Sequence, residues 1–291
     1  MAASIQTDKA EIAGAIGAYL RTGITDPLMA AWPGSLRERA ERSRRDLREA
    51  LIEETRRRAA GRAHPRLPQH DLVTMTRRKS LPMVTGLFPA IEQRAVLQLV
   101  ERSVIFVTTD NIERLLMEQP WDHTAWMLAN LHLGTLGAPP LSSDATPVVG
   151  LSEEATCYVS PTYFSDPDPA SDFVVHEVAH IFHNCKRRSA GLPETRRKQW
   201  LLDIAFQKRE TFAYACELYS SILQRSAGAA RPRVAAEIVR SWSVSDERVD
   251  AQEVVDIVLE AAGSRSGWQA ILRRCCQEPA SRPSHLRSVV G

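Results

Sequence analysis

A chain of 291 residues, 44% hydrophobic and 25% charged, has the make-up of a folded globular protein, which excludes the disordered, collagen-like and disulfide-scaffold classes. Its net charge of +2 is too balanced for the whole chain to act as a polycation on nucleic acid or an anionic membrane. The 32 Arg against 5 Lys follow the codon bias of a GC-rich bacterial genome more simply than they indicate a nucleic-acid surface.

In chain order, residues 1–20 carry Asp8, Lys9 and Glu11 where a secretion signal needs an unbroken apolar run, so no signal is expected. Leu36, Ala40, Leu47 and Leu51 recur at helical spacing behind Ser35 as N-cap and predict an amphipathic surface helix. Between Arg37 and Arg62 ten Arg stand against six Asp or Glu, many at i, i+3 or i+4, the pattern of a salt-bridged, solvated face. Residues 61–89, with Pro65, Pro68, Pro82 and Pro89, predict a break in the helical pattern and a boundary near residue 66. Beyond it the pattern predicts a helix over 91–102, a buried strand over 104–108, a helix capped by Asp110 through Ile112, Leu115 and Leu116, and a helix over 124–133. The longest apolar stretch, 124–140, is interrupted by Asn130 and His132 and is too short to span a bilayer. Residues 146–160 read as strand, and 165–169 as a loop into the next helix. Towards the C-terminus, stripes such as Val234, Ile238, Val239 and Val254, Val258, Leu259, with breaks at Ser243 and Gly263, predict further helices and then a loose tail from Pro279. The five cysteines, Cys157, Cys185, Cys216, Cys275 and Cys276, are odd in number and lack CxxC pairs, as expected of reduced thiols in a cytoplasmic protein.

The helix from Ser171 to His183 carries the chemistry, because it contains His176, Glu177 and His180 in HExxH order. Two His at i and i+4 project from one face about a turn apart, so both imidazoles can reach a single tetrahedral Zn²⁺. Glu177 points beside the metal, where its carboxylate can take a proton from a zinc-activated water and pass it to a leaving amine. Val174, Val175, Val178, Ala179, Ile181 and Phe182 are uncharged, as a helix buried beneath a cleft requires. A third ligand is offered in the helix 208–217, where Glu210 and Glu217 share a face about 10 Å apart. His183 lies nearly two turns beyond His176, too far to share its metal, and is expected behind the ligands or facing solvent.

HExxH followed by a downstream helical Glu resembles the gluzincin pattern of zinc metallopeptidases, and Glu210-Thr211-Phe212-Ala213 with Glu217 looks like the E-G-F-A-x-x-x-E segment of their aminopeptidase-like branch. The resemblance covers residues 150–225. It implies His176, His180 and Glu210 on zinc, Glu177 as general base, Glu217 supporting a ligand His or a substrate group, and Ala213 at a close helix contact. Thr211 replaces that branch's Gly, and 29 residues separate His180 from Glu210 where the branch has a shorter spacer, so aminopeptidase specificity is not implied. Family members place an edge strand beside the cleft, a role that residues 155–160 could fill by pairing with an extended peptide. A further donor to transition-state charge is expected from Tyr158, Tyr163, Tyr214, Tyr219 or His285. The basic stretch from Lys186-Arg187-Arg188 to Arg196-Arg197-Lys198 reads as a solvated loop between the zinc helices.

These readings predict a predominantly helical α+β chain, with an N-terminal helical region 1–66, a zincin-like core 67–230 containing a small mixed sheet, and a C-terminal helical subdomain 231–291. The expected function is zinc-dependent hydrolysis of peptide bonds in a cytoplasmic peptide or protein, with no membrane and no direct nucleic-acid partner. One alternative is a regulatory, mobile-element-associated zinc peptidase acting on a DNA-bound repressor, with the Arg-rich helix as a docking device. Another is a non-enzymatic binding module whose zinc staples two helices. A structural zinc would be closed by a fourth protein ligand, for which His183 and Cys185 are the nearby candidates.

Overall fold

The structure, a computed structural model, describes residues 2–276 apart from 66, 69–70, 146, 166–171, 197 and 245, with side chains from residue 9 onward. The described residues are predominantly helical, with eleven α-helices around one three-stranded mixed sheet. This is an α+β architecture.

Helix α1 (Ala2–Thr22) leads to α2 (Leu36–Ala59), where Ser35 and Glu38 exchange hydrogen bonds in a capping box. The Arg side chains of α2 find partners within the chain. Arg37 pairs with Glu41, Arg57 and Arg58 pair with Glu54, Arg56 reaches Glu113, and Arg44 donates to the Pro120 carbonyl; just past the helix, Arg62 donates to the Gly137 carbonyl.

The break that the prolines of 61–89 predict occupies only the first part of that stretch: the described residues of 61–71 carry no helix, whereas 72–87 do. Asp71 accepts from the backbone N–H of Val73 and Thr74 and starts α3 (Leu72–Leu87), which runs through Pro82. Pro82 faces solvent, where water can satisfy the carbonyl it orphans, while Met75, Met83, Val84 and Leu87 bury the opposite face. Burying four such side chains at roughly 1.5–3 kcal/mol each outweighs the ~3 kcal/mol that an interior Pro costs. The predicted boundary at residue 66 lies outside the described residues.

Helix α4 (Ala90–Ser103) runs directly into β1 (Val104–Phe106). The next helix, α5 (Ile112–Glu118), starts from Asn111 and not from Asp110. The Asn111 amide accepts from the Thr108 N–H and donates to the Phe106 carbonyl, which ties both sides of the turn as a lone carboxylate cannot. Helix α6 (Asp122–Thr135) follows. Arg48 of α2, expected on the solvated face, is fully buried: it donates to Tyr19 Oη and the Gln119 carbonyl and pairs with Asp122 Oδ1 at 2.8 Å, tying α1, α2 and α6 together.

Strands β2 (Gly150–Glu153) and β3 (Thr156–Val159) form an antiparallel hairpin, and β3 also pairs in parallel with β1, giving the order β1-β3-β2. The two-residue period sends Phe106, Cys157 and Val159 into one core and Tyr158 into another. The larger core joins α3 and α4 to α7 (Phe173–Asn184), α8 (Arg209–Arg225), α9 (Arg231–Ser241), α10 (Ala251–Gly263) and α11 (Gly267–Cys275). The smaller is enclosed by α1, α2, α5 and α6. The C-terminal helices therefore pack into the same core as α7 and α8. The tail from Pro279 lies outside the described residues. Among the described residues no helix is long and apolar enough to cross a membrane, and the five cysteines are free thiols.

His132 on α6 is 2% exposed, and its Nδ1 lacks a hydrogen-bond partner among the described residues. Burial, helped by the charge of His64, pushes its pKa down to about 4. The unfolded chain protonates this imidazole below about pH 6.5, so the stability contributed by neutral His132 is complete above that pH and is lost as pH falls towards 4. The melting temperature should therefore drop more steeply between about pH 6.5 and 4.5 in the wild type than in His132→Gln. Parallel pH profiles would assign the acid sensitivity to other groups.

Candidate metal centre

Asp172 caps the N-terminus of α7, accepting from the Val175 N–H, and is itself held by Lys79 Nζ at 2.6 Å and by the Tyr163 hydroxyl at 3.2 Å. Ser171, expected at this helix start, and residues 166–169 of the preceding loop lie outside the described residues. One turn into the helix, the Nε2 atoms of His176 and His180 come within 3.2 Å of each other. Helix α8 packs alongside and brings Glu210 Oε2 to 3.3 Å from His180 Nε2 and 3.8 Å from His176 Nε2. His176, His180 and Glu210 thus form a group able to hold a metal ion, with side chains 13%, 11% and 19% exposed, so that solvent reaches the site.

Each imidazole has a partner on its far side. Glu217 Oε2 lies 3.0 Å from His176 Nδ1, while its Oε1 accepts from the Asp172 N–H. His180 Nδ1 lies 3.0 Å from His183 Nε2, and His183 Nδ1 lies 3.1 Å from Asn184 Oδ1. With His180 Nε2 kept free for a metal, the protons run in one direction: His180 Nδ1–H donates to His183, and His183 Nδ1–H donates to Asn184. This requires a neutral His183. Burial, with the His180 and Arg209 charges adding to it, pushes the His183 pKa down to about 3.

The surroundings favour positive charge between the carboxylates. Burial lowers the pKa of His176, but hydrogen bonds to Glu210 and Glu217 and the nearby charges carry it up to about 10. Burial opposes ionisation of Glu210, yet His176, His180 and Arg248 hold its carboxyl far below the usual range. A divalent cation can take the place of that proton.

Glu177 is buried against β2, where its Oε2 accepts from the Ser152 hydroxyl at 2.5 Å. A Cβ at Gly150 would overlap the same carboxylate, so any larger residue there makes the Glu177 side chain shift. The sheet also corrects the expected edge. Residues 155–160 contain β3, which is central because β1 pairs with it, and the edge strand packed beside α7 is β2.

Of the expected charge donors, Tyr214 lies at the site, with its ring edge to face against His176 at 4.6 Å and against Trp242 on its other side. Tyr158 bonds Gln119 in the smaller core, Tyr163 donates to Asp172, and Tyr219 packs on Trp268. His285 lies outside the described residues. Ala213 is fully buried in the larger core. The basic loop is not simply solvated: Arg187 is 3% exposed and forks onto Glu92, which also binds Lys198. Arg197 lies outside the described residues.

Sequence reasoning missed Gly150, Ser152, Lys79 and Arg248, which lie far along the chain from the histidines and carry no local signal. Asp172 was detectable as a cap-forming residue four positions before His176. No protein-family model, curated protein or solved structure matches the chain.

Proposed function

We propose that the chain is a zinc-dependent metallopeptidase built on a zincin-like core. The spacing of the three donors carries this reading. Their separations of 3.2, 3.3 and 3.8 Å bracket the edge of about 3.3 Å expected between ligands of a tetrahedral zinc with bonds near 2.0–2.1 Å. Two imidazoles and one carboxylate also suit zinc chemically. Among the described residues no fourth ligand joins them, since His183 stands behind His180 and Cys185 Sγ donates to the Lys186 carbonyl. An open fourth position beside a carboxylate is what hydrolysis needs.

Zinc bound there would acidify a water and polarise the scissile carbonyl. Glu177, with its Oε2 held by Ser152, takes up the proton and returns it to the leaving amine. Tyr214 stays protonated, since burial and the charges of Asp246, Glu217 and Glu210 push its pKa up to about 12, and it can donate to the carbonyl oxygen. The free edge of β2 offers backbone groups to an extended peptide.

Protein purified without chelator should carry one zinc per chain, melt at a lower temperature after chelation and recover when zinc is restored. It should also release new amino termini from unfolded casein. Absence of zinc together with an unmoved melting temperature would sink the metal reading. Stoichiometric zinc without any hydrolysis would favour an ion that only staples α7 to α8.

A further inference from the structure

Glu210 is engaged on both oxygens. Oε2 faces the two histidines, while Oε1 pairs with Arg248 Nη1 at 2.8 Å. Arg248 comes from the connection between α9 and α10, and it is itself aimed by Asp246: Nη2 donates to Asp246 Oδ2 at 2.6 Å, and both Nε and the backbone N–H donate to Oδ1 at 2.9 Å. The same connection begins at Trp242, which packs on Tyr214. It therefore meets the site at two points. The Arg248 side chain is 70% exposed and belongs to no core cluster, so packing does not account for its place.

A carboxylate with both oxygens free can close on a cation through both and fill a position that a reactant needs. The planar guanidinium fork suits the task of occupying one oxygen, and Asp246 offsets a positive charge that would otherwise repel the ion. We propose that Arg248 is a positioning residue for the metal centre: it holds Glu210 Oε1 so that Oε2 alone is presented to the ion. This rests on the zinc reading above and adds an element that the HExxH helix does not contain.

The test compares the full-length wild type with Arg248→Ala and Arg248→Lys by zinc titration against a competing chelator, by the visible absorption of Co²⁺ at the site, and by the melting temperature of the metal-free proteins. Arg248→Ala should lose about ten- to a hundredfold in zinc affinity, the usual cost of removing a ligand's outer partner. Its metal-free melting temperature should stay at the wild-type value. Its Co²⁺ bands should weaken, because Glu210 then binds through both oxygens and coordination rises above four. Arg248→Lys should recover part of the affinity, since an ammonium can reach one oxygen without the fork. Unchanged or tighter zinc binding by Arg248→Ala would overturn the inference, and tighter binding would identify Arg248 as a cation competing for Glu210. A loss of affinity matched by a lower metal-free melting temperature, with no rescue by Lys, would overturn it in favour of a role in folding. Failure of the wild type itself to bind zinc would overturn the zinc reading, and this inference with it.

Discussion

Glu177→Gln should keep its zinc yet lose about a hundred- to ten-thousandfold in hydrolysis of any substrate found. The amide fills the same volume, and its oxygen can still accept from Ser152, so the fold and the metal ligands are undisturbed. What disappears is the ability to accept a proton. Gly150→Ala is a companion variant with a different cause, because its Cβ would overlap the Glu177 carboxylate and push the base away without touching His176, His180 or Glu210. Both variants should therefore hold zinc as the wild type does while turnover collapses. Undiminished turnover by Glu177→Gln would remove Glu177 as the base.

Glu210→Ala should abolish stoichiometric zinc at neutral pH, whereas Glu217→Ala should cost only about ten- to a hundredfold in zinc affinity. The two carboxylates sit two turns apart on α8, and only Glu210 reaches both histidines. Glu210 meets the Nε2 atoms that face each other, while Glu217 meets His176 on Nδ1 and is further committed to the Asp172 N–H. Removing Glu210 leaves two donors and an open pocket, and removing Glu217 leaves three donors with one ring less firmly held. A titration against a competing chelator ranks the two variants. The reverse order would move the ligand to Glu217.

Short-range features were legible wherever the physics is short-range. The i, i+4 spacing of His176 and His180 places both rings on one helical face whatever packs around them. The Ser35 cap with Glu38 forms within its own turn, and the apolar stripes of α4 and α10 predicted their helices. Local signals failed where a distant partner decided. Pro82 reads as a breaker until the buried face of α3 is seen to outweigh it, and Arg48 reads as a surface charge until Asp122 and Tyr19 close around it. Residues 155–160 read as an edge until β1, some fifty residues earlier, is found paired to them.

The sequence by itself determined the pair of histidines, the carboxylate beside them and two candidate third ligands, because helical periodicity sets which side chains share a face. Only the tertiary structure decided that Glu210 faces the histidines and Glu217 stands behind, that His183 backs His180, and that Gly150 and Ser152 hold Glu177 from the edge strand. Arg248 joined Glu210 by the same route. The two acids share a helical face, so periodicity cannot separate them. Their difference comes from the translation and rotation of α8 against α7, which the packing of the larger core sets.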